Sequence, residues 1–574
     1  MQIMPRIRYY TLKQAVAMIC DDSFVGDDVD ITILPPEQVD QVSDEEEVDD
    51  DGTGEAVVQE VAGPVELYFH DSTMSTNEQD SGEVSSSQSP VTVDEPEPPA
   101  VLSPVYNANP APKRRRTVGA TVTTASVSMP PASPATPALL TQPVAISSPV
   151  WKKCPPKYDF AHPNGSMPDT LKADLSAKIH HLTPTELFEE LFSPDMFDLM
   201  AAETQRYAKH VKNDVDFVTS PNELRAFVGI LLFSGYNIRS SEKDYWSEAD
   251  DLKAECVQNV MPKNRYMKLK SSLHFVDNSL VAQNCNDRAF KIRPLIESLN
   301  RNFIKFGVFA RQLSIDEMIV RYYGHHGLKQ FIRGKPIRFG YKYWAICSHD
   351  GYCFQFQLYC GKETVCQQQM PLGSRVVLSL LTIVPQNNLP DYTVHFDNFF
   401  TSHNLMATLS KMSVRVTGTV RENRTARCPL SSVKSVSKEQ RGFHDHRFDT
   451  ANKVLLVRWH DNSVVTIATN YDTVIPMASC RRWSKDAKEA VSVSQPRLIK
   501  HYNQAMEGVD LHDWHAGKYG IQIRGKKWYW PLFIRSIDMA AVNAWILHRY
   551  VHGSDAMDQK EFRRHIVTSY MKMM

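Results

Sequence analysis

No lysine or arginine lies between Lys13 and Lys113, although 24 Asp and Glu residues fall there. That stretch is a polyanion with no opposite charge of its own to fold against. Apolar runs long enough to cross a bilayer are also missing, so neither a membrane-spanning helix nor a membrane partner is expected. The ten cysteines include no CxxC pair, which argues against a paired zinc ribbon or a redox dithiol. No secretory signal precedes them, so reduced thiols in an intracellular protein are expected. No internal repeat is found, which excludes a solenoid.

The formal net charge of -2 hides a strong asymmetry. Residues 1–13 carry +3, and everything after the acidic stretch carries about +19. A body of that sign suits a protein that approaches phosphate backbones. Residues 1–150 are acidic and then rich in Ser, Thr, Pro and Val, too poor in apolar surface to offset the entropy of ordering, so disorder is expected there. Lys113-Arg114-Arg115-Arg116 interrupts this arm; it reads as a nuclear import signal, or as a solvated charge run.

Ordered pattern begins at Thr183-Pro184-Thr185-Glu186, a capping box with proline at the first helical position. Leu187, Phe188, Leu191 and Phe192 continue it as an apolar helical face, and Ser220-Pro221-Asn222-Glu223 repeats the device. Further helical pattern at 266–275 and 292–303 makes 183–305 an all-α stretch. The period then changes to two. Strands are predicted over 312–320, 341–348 and 352–360, the last two joined by the turn Ser348-His349-Asp350-Gly351. A helix at 374–384, a strand at 392–397, a helix at 402–411 and a strand at 414–420 follow. The order β-β-β-α-β-α-β is that of the ribonuclease H-like fold. Strand signals at 454–459 and 464–469 mark an insertion, and a helical face returns over 531–550.

Three segments carry acids at the edges of these elements: Asp316 in a strand, Asp397 at a strand end, and Asp510 with Asp513 at a helix start. Carboxylates gathered at one end of a sheet suit hard divalent cations and phosphoryl transfer. Residues three apart share a helix face, so Asp510 and Asp513 are able to address one site. Taken singly, each acid also reads as a cap or a turn residue. Glu317 points to the opposite strand face from Asp316 and is not expected to be a primary ligand. His395 alternates with Asp397 and reads as a packed or hydrogen-bonded histidine rather than a ligand.

From Pro184 to Tyr550 the chain resembles the piggyBac transposase family, in look nearest to the vertebrate piggyBac transposable element-derived proteins. The resemblance lies in Ser314-Ile315-Asp316-Glu317, in Phe396-Asp397-Asn398-Phe399-Phe400-Thr401-Ser402, in Thr417-Gly418-Thr419-Val420-Arg421, and in Tyr502-Asn503-Gln504 leading to Gly508-Val509-Asp510. It implies a mixed α and β chain with a ribonuclease H-like catalytic core, a β-rich insertion, and flanking helical dimerisation and DNA-binding segments behind a disordered arm. The boundaries expected are 1–150 for the arm, 151–305 for the helical region, 306–420 for the first part of the core, 421–497 for the insertion, 498–555 for the third acidic motif with DNA-binding helices, and 556–574 for a tail. The resemblance implies Mg²⁺ or Mn²⁺ held by Asp316, Asp397, Asp510 and Asp513, cleavage and strand transfer at TTAA-type targets, double-stranded DNA and a homodimer as partners, and a nuclear location. The acidic arm adds chromatin proteins as candidate partners.

Arg524, Lys526, Lys527 and Trp528 form a basic-aromatic knot suited to phosphates and an unpaired base, or a loop beside a core tryptophan. Arg421 and Arg424 match positions the family places near target DNA, and Arg333, Lys335, Arg338 and Lys342 add positive charge. The family usually carries a cysteine-rich zinc domain at its end; no cysteine follows Cys480, so zinc is not expected. The alternative expectation is therefore a domesticated nuclear DNA-binding protein without transposition activity.

Overall fold

The structure is a computed structural model that describes residues 146–158, 167–332, 337–361, 370–484 and 488–573, together with three short strands nearer the N-terminus. The cluster Lys113–Arg116 and the basic residues Arg333 and Lys335 lie outside the described residues. Three strands fall within the stretch 1–150. Arg6–Tyr9 and Val29–Ile33 both pair antiparallel with Val65–Phe69. Ile7 and Tyr9, Val29, Ile31 and Ile33, and Val65, Leu67 and Phe69 alternate with polar residues, and that period of two is what a strand requires.

The Thr183 cap forms as its residues dictate. Its hydroxyl accepts from the Glu186 amide at 3.3 Å, and Glu186 accepts from the Thr183 amide at 2.8 Å. At Ser220 only half of that device is present. Ser220 Oγ accepts from the Glu223 amide at 3.2 Å, but the Glu223 carboxylate turns to Thr219 and to Arg265 instead. The helices Pro184–Glu189, Pro194–His210 and Pro221–Ser234 bury Phe188, Phe197 and Leu231 completely. Against them packs Gln559–Met571, where the sequence predicts only a tail. Asp558 caps that helix, Phe562, Ile566 and Tyr570 recur at helical spacing, and Tyr570 donates to Glu189 at 3.0 Å. One continuous apolar core runs from Leu175 to Tyr570, so the expected boundaries at 305 and 555 are not boundaries of packing.

The large sheet is built from β1 (Gln312–Arg321), β2 (Phe339–Ser348), β3 (Cys353–Leu358), β4 (Thr393–Phe396) and β5 (Arg415–Thr419). Their spatial order is β3-β2-β1-β4-β5. β1 and β2 are antiparallel, as are β2 and β3, whereas β1, β4 and β5 run parallel. The β2–β3 turn falls where predicted, with Gly351 at φ +95°, a conformation that favours glycine. Within the insertion, β6 (His444–Asp449), β7 (Val454–His460) and β8 (Val464–Thr469) continue the same sheet, β8 pairing antiparallel with β5. A hairpin of Ala478–Ser484 and Glu489–Gln495 completes the insertion, and a second small core forms around Phe448, Val457 and Leu498.

Candidate functional site

Asp316 sits inside β1, only 7 % exposed, and its Oδ1 accepts from the Glu317 amide at 2.8 Å. Side chains alternate along a strand, so Ser314 and Asp316 share a face while Glu317 points away. Glu317 lies 3.8 Å from Lys342, whose ammonium also rests over the Trp344 ring. Ile315 of β1 is in register with Phe396 of β4, so the next step along both strands sets Asp316 beside Asp397. Neighbouring strands lie about 4.8 Å apart.

Asp397 is held by its own loop. Its Oδ1 accepts from the Phe399 amide at 2.9 Å, and its backbone carbonyl accepts from the Thr401 hydroxyl at 2.7 Å. A Cβ on Gly418, the β5 partner of Phe396, would run into Phe396 and the Thr401 hydroxyl, so only glycine lets β5 close against this loop. Arg421 donates to Asn398 Oδ1 at 3.0 Å, and Arg424 donates to the Asn398 and Phe399 carbonyls at 3.1 and 2.6 Å. These arginines buttress the second acid. Both remain half-buried, and their hydrogen bonds to this loop give them a positioning role.

The helix Gly508–Lys518 is pinned onto the Asp316 face. Gly508 lies against the Ser348 carbonyl with no room for a Cβ. The Val509 amide donates to Ser314 Oγ at 3.1 Å, and His512 bonds the Gly351 carbonyl at 2.8 Å. This brings Asp510 to the solvent edge of the same face. Asp513, one turn on, is ion-paired with Arg535. Burial first, then the neighbouring Cys353, raise the Cys347 thiol well above its ordinary value, and the negative fields of Asp316 and Asp513 add to it. Among the described residues no three His, Cys, Asp or Glu side chains converge closely enough to hold a metal ion as they stand. The donor chemistry nevertheless fits a hard divalent cation, since Asp316, Asp397 and Asp510 offer only carboxylate oxygens.

Tyr502 is a site residue to which the sequence assigns no role. It sits on the helix Arg497–Ala505, and its hydroxyl lies 3.4 Å from the Phe396 carbonyl. Burial, then hydrogen bonding at Thr419 in the opposite sense, and the negative fields of Asp397 and Asp316 set its acidity; the net effect is a phenol well above its usual range, holding its proton beside both acids. Only its place in the motif preceding Asp510 signals this.

His395 is a packed histidine. It lies 3.3 Å from the Leu313 carbonyl and 3.4 Å from the Tyr471 hydroxyl, and burial lowers its pKa to about 4, so it is neutral. The basic-aromatic knot divides. Lys526 is exposed and Arg524 half-buried, but Lys527 is 3 % and Trp528 4 % exposed. Lys527 donates to the Leu273 carbonyl at 2.7 Å, and Trp528 stacks on His326 at 4.1 Å. Both are core contacts rather than DNA contacts, because a buried ammonium satisfied by a carbonyl cannot reach a phosphate. Arg338 is exposed, just before the start of β2.

A family model described as Transposase IS4 matches residues 183–545. The human PiggyBac transposable element-derived protein 2 is 35% identical over 424 residues, covering 74% of this chain and 70% of that protein. The human PiggyBac transposable element-derived protein 3 is 36% identical over 391 residues, covering 68% of this chain; the match spans 65% of the relative's own length. The cryo-EM structure of a piggyBac transposase synaptic complex with hairpin DNA superposes with a TM-score of 0.55 at 20% identity, covering 68% of this chain and 81% of that one.

Proposed function

The chain belongs to the piggyBac transposase family, and on that premise we propose that it performs metal-dependent phosphoryl transfer on double-stranded DNA, as a DDE/D-type transposase that cleaves and joins at TTAA-type targets. The observation that carries this reading is the pairing of Asp316 and Asp397 on neighbouring parallel strands, with the Asp510 helix tied to the same face. We assign β1 to β5 to a ribonuclease H-like core; the order β3-β2-β1-β4-β5 with β1, β4 and β5 parallel supports that assignment.

Asp316, Asp397 and Asp510 would hold Mg²⁺ or Mn²⁺, which supplies Lewis-acid activation of the attacking and leaving oxygens. The chain's own residues prepare that site. Two neighbouring carboxylates repel one another, so a cation between them relieves a cost built into the fold. Arg421 and Arg424 fix the loop that aims Asp397, and Tyr502 keeps a neutral hydroxyl beside both acids. Asp513 is engaged by Arg535 and joins the ligand set only when that pair opens. Nuclear import through Lys113–Arg116, assembly as a homodimer and recruitment of chromatin proteins by the acidic arm belong to the same proposal.

A second reading is a family-derived DNA-binding protein without turnover. The Asp513–Arg535 pair favours it, because a cation already neutralises one of the four acids. A cleavage and strand-transfer assay on a matched transposon end with Mg²⁺ or Mn²⁺ separates the two. Nicked, hairpinned and joined products that vanish in Asp316→Asn support the transposase. Folded, DNA-binding protein that yields no product supports the second reading.

A further inference from the structure

Most tryptophans of the core are buried, among them Trp344, Trp459, Trp528 and Trp530, but Trp514 is 58% exposed. It lies on the acid-bearing helix, four residues after Asp510, and residues four apart are neighbours on one helix face. The opposite face, through Val509, His512 and Ala516, is buried against the sheet. Trp514 is therefore the next side chain round from the acids on the solvent side.

Its surroundings are those of a prepared platform. The Lys518 ammonium sits one turn further on, 5.3 Å from the Trp514 ring centre. On its inner edge Trp514 meets His515 at 4.9 Å, His515 meets Trp545 at 4.9 Å, and the Arg549 guanidinium lies 4.9 Å from the Trp545 ring. Trp545 is locked in turn by its indole donating to the Met557 carbonyl at 3.0 Å. Gly517, on the exposed face, has nothing within 4 Å of where a Cβ would stand, so the approach is open. A braced aromatic face beside Lys518, with Arg549 further along the same row of rings, has the chemistry that single-stranded nucleic acid selects: a ring for a base, cations for the backbone.

We propose that Trp514 and Lys518 form a stacking subsite for an unpaired nucleotide of a DNA end lying at the acidic site. The subsite rests on the DNA-processing reading above. Its occupant is nucleic acid rather than a protein because the exposed aromatic is accompanied by the Lys518 ammonium and by no exposed aliphatic residue of the same helix face.

The test measures binding without turnover, with Ca²⁺ in place of Mg²⁺, on the full chain. Two probes of equal length are compared: a blunt duplex, and one with a short unpaired 3′ overhang carrying 2-aminopurine. The native chain is expected to prefer the overhang and quench its fluorescence. Trp514→Ala is expected to lose about tenfold on the overhang and little on the blunt duplex, while Trp514→Phe retains most of the preference and the quench. Equal losses on both probes, or none on either, overturn the subsite and leave DNA binding intact. A change of oligomeric state in Trp514→Ala by sedimentation, with the preference unchanged, makes the face a protein contact and overturns it too. A native chain that binds neither probe overturns both the subsite and the DNA reading.

Discussion

The Val509 amide donates to Ser314 Oγ at 3.1 Å across 195 positions of sequence, and this bond ties the helix carrying Asp510 to the strand carrying Asp316. Ser314 is fully buried, so the amide has no water to turn to if the hydroxyl is removed. Ser314→Ala is expected to lower unfolding free energy by about 1–3 kcal/mol, the cost of a buried donor left unsatisfied. Chemical denaturation checks the stability. Calorimetry with Mn²⁺ checks that loosening the helix also weakens divalent binding.

Asp316→Asn and Asp397→Asn should each weaken Mn²⁺ binding by more than the about 10–100-fold that loss of an outer support costs. Asp513→Asn should change it far less, because Arg535 already engages that carboxylate. Isothermal titration of the three variants decides this, and equal effects at all three positions would show that Asp513 is a ligand on the same footing.

Arg535→Gln releases Asp513 from its ion pair. The expected result is tighter divalent binding, read as a larger rise in melting temperature on adding Mn²⁺ than the native chain shows. An unchanged or smaller rise would mean that the arginine is not what holds Asp513 back.

Acid should destabilise the fold well above the range of its carboxylates. Burial is the first cause that lowers His395 and His548 to about 4, His326 and His512 to about 3, and His274 to about 2, from an ordinary 6.5. Each is neutral when folded and takes up a proton on unfolding below pH 6.5. The stability they contribute is therefore complete above pH 6.5 and is lost as pH falls towards 4 and below. Denaturation midpoints measured between pH 7.5 and 4 should fall steadily, and His395→Gln should flatten that decline.

Lys526 and Lys527 are adjacent in sequence and opposite in environment. Lys526→Ala should reduce the slope of log affinity against log salt by up to about 0.9, as for one phosphate contact. Lys527→Met should leave that slope alone and cost stability, since it removes the donor to the Leu273 carbonyl. Salt titrations of DNA binding beside thermal melts separate the two.

Much of this site is legible along the chain because its determinants are local. The Thr183 box, the β2–β3 turn at Gly351 and the span of β1 depend on residues within a few positions of one another, and they appear where the sequence predicts them. Gly418 and Gly508 are visible as motif residues, but their reason is not: each admits a backbone from a distant segment. The terminal helix Gln559–Met571 shows how a short amphipathic segment escapes notice until its partners are known, for its apolar stripe packs against helices near residues 188, 197, 228 and 548.

Sequence alone determined which residue types carry the chemistry, the order of strands and helices, and the separation of an acidic arm from a basic body, because composition and period act at short range. Tertiary structure decided which of those residues are available. Lys527 and Trp528 look like a DNA contact and are buried in the core, Arg421 and Arg424 hydrogen-bond the Asp397 loop, and Asp513 is ion-paired with Arg535. Trp514, unremarkable in the sequence, is left facing solvent beside the acids. The physical reason is that a side chain's partner comes from whichever distant segment folding sets against it, and burial or exposure follows from that partner rather than from the residue's own neighbours.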